Sequence, residues 1–192
     1  MTRARSRWWW LTARGDDRAS DSGVLDASHC TARDRVTMAR ALELADEAAS
    51  IGEVPVGACV YETATGRIVS ESGNTRERDR DPAGHAELIA MRDAAKALGD
   101  WRLDGCTLVV TLEPCPMCAG AIVNARVGRV VYGCDDPKAG ACRSVLSITS
   151  DARLNHRPVV IAGLEAEACS QRLTVFFKAL RARRAADRRR EG

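Results

Sequence analysis

Cys106-Thr107-Leu108-Val109-Val110-Thr111, running straight into Leu112-Glu113-Pro114-Cys115-Pro116-Met117-Cys118, is the stretch that decides how this chain folds. The first six residues form a short, continuously apolar run. A run of that kind reads as a strand buried on both faces of a sheet. Pro114 ends it, and Ala119-Gly120-Ala121-Ile122-Val123-Asn124-Ala125-Arg126 is helical in composition, so Cys115 and Cys118 fall on one face of a first helical turn. The positive end of a helix lowers a thiol pKa and favours the thiolate, which is the form a metal binds.

Upstream, His85-Ala86-Glu87 opens a second run whose apolar positions Leu88, Ile89, Met91, Ala94, Ala95 and Leu98 recur at helical spacing. The His85 imidazole therefore also projects from a helix start. One histidine and two cysteine thiolates make a nitrogen and sulfur set that suits Zn2+ better than Mg2+ or Ca2+. Three protein ligands leave one position for water, whose pKa falls to about 7 beside zinc. Glu87, two residues beyond His85, reads as the proton carrier for that water. In the alternative, Cys134 or Cys142 completes a closed four-ligand site and leaves Glu87 idle.

Working outward, Val56 to Tyr61 and Ile68 to Gly73 read as a hairpin joined through Thr63-Ala64-Thr65-Gly66-Arg67. Arg129 to Tyr132 and Arg157 to Ile161 read as further strands. Thr37 is placed to cap a helix with apolar positions Met38, Ala41, Leu42, Leu44, Ala45 and Ala48, and a closing helix runs from Glu165 into an arginine-rich end. Strands alternating with helices predict an α/β fold, three layers α/β/α around a central mixed sheet of about five strands. Residues 37–182 are expected to form one domain. Residues 1–36, rich in Arg, Asp, Ser and Gly without periodicity, are expected to be a disordered extension, and 183–192 a basic tail.

The chain has 192 residues, 45% of them hydrophobic, enough for one sizeable core. No apolar run approaches the roughly 20 residues that span a bilayer. Trp8-Trp9-Trp10-Leu11 is too short for the roughly 7 to 15 apolar residues of a signal core, so a cytoplasmic location is expected and the eight cysteines read as reduced thiols plus a metal pair. The net charge of +3 is unevenly spread: residues 37–180 carry 16 Lys/Arg against 19 Asp/Glu, whereas residues 181–190 carry six arginines and one aspartate. Lys138, Arg157 and the tail arginines are candidate phosphate contacts.

His-Ala-Glu followed by Pro-Cys-x-x-Cys resembles the signature of the zinc-dependent cytidine and nucleobase deaminases. Glu53-Val54-Pro55-Val56-Gly57-Ala58, Gly73-Asn74, Thr111-Leu112-Glu113-Pro114, Asp136-Pro137-Lys138, Asn155-His156-Arg157 and Phe176-Phe177 extend the likeness toward the bacterial tRNA-specific adenosine deaminases. The resemblance runs in unbroken order from about residue 37 to residue 182. It implies one Zn2+ held by His85, Cys115 and Cys118, with Glu87 as catalytic acid and base. It also implies Asn74, Ala86, Pro114 and Asn155 as substrate-binding residues, the anticodon stem-loop of a tRNA as partner, and a homodimer. The zinc machinery also serves free guanine, cytosine or cytidine, which leaves a free-base or nucleoside deaminase as the rival, with a non-catalytic zinc-stabilised module behind it. Ala141-Cys142-Arg143-Ser144 is more polar than the pattern implies.

Overall fold

The computed structural model describes residues 23–191. Six strands form one mixed sheet in the order β1-β6-β5-β4-β2-β3: β1 Val24–Asp26, β2 Gly57–Glu62, β3 Ile68–Gly73, β4 Cys106–Leu112, β5 Arg129–Cys134 and β6 Val159–Ala162. β4, β5, β6 and β1 run parallel, whereas β2 is antiparallel to both β4 and β3. The helices are α1 Ala32–Ser50, α2 Ala86–Leu98, α3 Pro116–Asn124 and α4 Ala166–Glu191.

Alternation along the strands sorts the helices into two layers. Val109, Val131 and Ile161 face one way and pack with Met38, Ala41 and Leu44 of α1 and Cys169 of α4. Leu108, Val110, Val130 and Tyr132 face the other and pack with Ala90, Met91 and Ala94 of α2 and Ile122 of α3. The expected three-layer architecture is what the chain builds, and β4 is buried along all but its last residue. A Cβ at Gly57 would overlap the Ala41 carbonyl oxygen, so glycine there lets β2 lie directly under α1.

The chain departs from expectation at its start. Helix α1 begins at Ala32 rather than Thr37, because Thr31 and Asp34 form a reciprocal capping box. Val24–Asp26 adds a sixth strand parallel to β6 and a single 3-10 turn follows it, which places 24–36 inside the fold rather than in an extension. Three residues are too few for a periodic signal, and their partner lies far along the chain. Residues 1–22, with the tryptophan patch and the rest of the expected extension, lie outside the described residues. At the other end α4 carries its helical backbone through the arginine-rich segment to Glu191.

Asp34 has a second task. Its carboxylate, with no exposed surface, accepts from Arg129 Nη1 at 2.6 Å and Nη2 at 2.7 Å, from the Tyr61 hydroxyl at 2.6 Å, and from the Thr31 backbone at 2.6 Å and hydroxyl at 2.8 Å. One side chain thus ties the start of α1 to β2 and β5. Burial opposes its ionisation, but the bonds from Arg129, Tyr61 and Thr31 outweigh it and hold the carboxyl at about 2.

Candidate metal centre and active site

The register of the sheet puts Gly73, Gly57, Thr111 and Cys134 along one edge. The site is assembled at this edge, beyond the carboxyl end of β4, where ligands gather in sheets of this kind. Leu112 hands the chain through Glu113 and Pro114 to Cys115, which caps α3 in an extended conformation with Pro116 as the first helical residue. His85 caps α2 in the same way. Two N-terminal caps therefore face each other, each presenting a ligand side chain.

His85 Nδ1 lies 3.6 Å from Cys115 Sγ and 3.5 Å from Cys118 Sγ, and the two sulfurs are 3.6 Å apart. A tetrahedral zinc with bonds of about 2.3 Å to sulfur and 2.0–2.1 Å to nitrogen requires about 3.8 Å between sulfurs and about 3.5 Å between sulfur and nitrogen. The triangle and its donor chemistry fit zinc. Among the described residues no other His, Cys, Asp or Glu joins this group. Cys134 instead points its thiol at the Thr111 carbonyl at 3.7 Å, and Cys142 is buried outside the triangle. The four-ligand alternative is not the arrangement present.

The two sulfurs divide the charge unequally. Cys118 beside it holds the Cys115 thiol down at about 4 against burial, with His85 adding to the effect, whereas Cys115, burial and Glu87 all push Cys118 up. His85 is raised, first by its contact with Cys115. Glu87 is 4% exposed, and burial pushes its carboxyl above the ordinary range, with the neighbouring His85 and Cys118 acting against the rise. A carboxyl poised in this way exchanges protons nearer neutral pH than an exposed one.

Asn74 follows β3 at the same edge and is 7% exposed; its Nδ2 donates to Glu53 Oε2 at 2.8 Å, while Glu53 Oε1 accepts from the Arg78 backbone at 2.6 Å. Ala86 is fully buried at the start of α2, and the Pro114 carbonyl accepts from Ala141 N at 2.9 Å. Asn155 is not brought to this edge. It is exposed, and its Oδ1 accepts from Arg126 Nη1 at 2.8 Å just beyond the far end of α3. Arg157 is exposed near it, whereas Lys138 is exposed on the loop at the site edge. Phe176 and Phe177 of α4 pack edge to face at 5.5 Å between ring centres.

Two buried carboxylates escaped the reading of the sequence. Glu53 and Glu113 are each 1% exposed and each bonded to loop residues bordering the site. A lone Glu in the turn before a strand or after one carries no periodic signal. Only the partners the fold brings to it reveal its role.

The family described as the cytidine and deoxycytidylate deaminase zinc-binding region matches residues 31–134. A tRNA-specific adenosine deaminase of Bacillus subtilis (strain 168) is 42% identical over 157 residues, covering 82% of this chain and 96% of that protein. Its counterpart in Haemophilus influenzae is 46% identical over 145 residues, covering 76% and 83%. A solved structure from a study of A-to-I editing by tRNA:A34 deaminases superposes with a TM-score of 0.69 at 41% identity, covering 72% of this chain and 99% of that one. With the His85, Cys115 and Cys118 triangle, the buried glutamate and the three-layer architecture all in place, the chain belongs to the cytidine and deoxycytidylate deaminase family and stands among its tRNA-specific adenosine deaminases.

Proposed function

We propose that this protein converts adenosine to inosine at the wobble position of a tRNA anticodon, releasing ammonia by hydrolysis. The observation that carries the hydrolytic deamination is the His85, Cys115 and Cys118 triangle with the buried Glu87 carboxyl against it. His85 Nδ1 and the two sulfurs would hold one zinc per chain, and when bound the metal supplies a Lewis acid that makes water a nucleophile at neutral pH. Glu87 takes one proton from the attacking water and gives it to N1 of the adenine ring, then takes the proton of the hydroxyl now on C6 and passes it to the amine, which leaves as ammonia with the C6 carbonyl formed. Its burial keeps the carboxyl able to hold that proton between steps. Asn74, fixed by Glu53, is oriented to hold the flipped nucleotide, with Ala86 and Pro114 forming the adjoining wall.

An anticodon loop is single-stranded, so turning one base out into a pocket costs less than extruding it from a duplex. The names of the B. subtilis and H. influenzae relatives support RNA rather than a free base as substrate. Met117, between the two cysteines on α3, and Val145 and Leu146 at the end of loop 135–146 are exposed apolar side chains that a second copy would cover in a homodimer. Among the described residues no helix is long and apolar enough to cross a membrane. A cytoplasmic location belongs to this reading because that is where a tRNA substrate is met.

The test is inosine formation in anticodon stem-loops carrying adenosine or cytidine at the wobble position, run beside free guanine and cytidine. Conversion confined to the adenosine stem-loop supports the reading. Turnover of the free base with an inert stem-loop overturns the substrate assignment and leaves the metal chemistry standing.

A further inference from the structure

We infer that Glu113, outside the metal and proton-transfer set, is a positioning residue that fixes the shape of loop 135–146 and through it the recognition of RNA. The inference rests on the deaminase reading above. Glu113 Oε1 accepts from three successive backbone amides, Cys142 at 3.0 Å, Arg143 at 2.8 Å and Ser144 at 3.0 Å. Oε2 accepts from the Asp136 amide at 3.0 Å and from the Ser144 hydroxyl. Five donors converge on two oxygens, and none of them is a Lys or Arg side chain. The negative charge is held by amide dipoles of the loop itself, as in an anion nest.

This places both ends of the loop under one side chain, at the strand end that also delivers Cys115. Ala141 N donates to the Pro114 carbonyl at 2.9 Å, and Ala141 and Cys142 are fully buried. Arg143 Nε and Nη2 bind Asp135 at 3.0 Å, closing the loop on itself. Asp135, Pro137, Lys138 and Ser144 remain exposed on this loop, and on the deaminase reading the stem-loop approaches over it. A Cβ at Gly140 would overlap Glu113 Oε2, so glycine at 140 is required by the same clamp.

Glu113→Gln exchanges one acceptor oxygen for an NH2 that confronts the donors on that side. Because the hydrogen bonds it breaks face the loop and not the metal, zinc content and kcat stay within about threefold, while KM for the stem-loop rises about 10- to 100-fold. Hydrogen exchange at the Cys142, Arg143 and Ser144 amides accelerates. Gly140→Ala attacks the clamp from its other side and should raise KM in the same way, and the double variant should be no worse than the poorer single one. If E113Q does not fold, G140A carries the test. Unchanged KM with faster loop exchange overturns the role in recognition; unchanged exchange overturns the clamp. A wild-type protein inert toward the stem-loop refutes the functional reading and this inference with it, whereas active wild type with unchanged E113Q and G140A kinetics overturns the inference alone.

Discussion

Replacing Asp34 by Asn tests the tie between helix, hairpin and parallel strands. The carboxyl is held at about 2 against an ordinary 3.8. A tenfold change in proton affinity is about 1.4 kcal/mol, so ionised Asp34 contributes about 2 kcal/mol to stability near neutral pH. Its folded pKa lies below its unfolded one. The contribution is therefore complete above about pH 5 and disappears as the pH falls toward 2. Asn keeps the shape but presents an NH2 to donors on one side, and it leaves the Arg129 side chain, 15% exposed, without its counter-charge. Removing one partner of such a pair costs about 3–5 kcal/mol at pH 7. Urea unfolding of both proteins should show that gap at pH 7 and a gap smaller by about 2 kcal/mol near pH 2. Metal release in acid is common to both and cancels in the difference. A cost below about 1 kcal/mol at pH 7, or a gap independent of pH, would refute the reasoning.

Three further outcomes follow from the site and the tail. Glu87→Gln should lower kcat by about 100- to 10,000-fold while zinc content and the thermal midpoint hold, and a variant within tenfold of wild type would remove Glu87 from proton transfer. Cys118→Ser should weaken zinc affinity by more than the roughly 10- to 100-fold that outer partners of a ligand command, and full zinc occupancy after dialysis against a chelator would contradict the ligand set. Deleting residues 181–192 should flatten the dependence of stem-loop affinity on salt, since every arginine removed from a phosphate reduces the logarithmic slope by about 0.7; an unchanged slope would show that the exposed arginines of α4 touch no RNA.

The sequence by itself determined what depends on spacing along one element. Cys115 and Cys118 lie three apart after a proline, so a helical turn puts both sulfurs together whatever the rest of the fold does. The unbroken apolar run of β4 announced burial on both faces, and apolar periodicity announced α2 and the helical part of α1. Tertiary structure alone decided which distant groups meet. It brought His85 to the sulfurs from 30 residues away, and Arg129 to Asp34 across 95. It gave the three residues of β1 a partner in β6, committed Asn155 to Arg126 away from the metal, and wrapped loop 135–146 around Glu113. The physical reason is the same in each case. Periodicity reports the face of an element that turns inward, but a buried charge or polar group is stable only with particular partners, and strand order and register choose them.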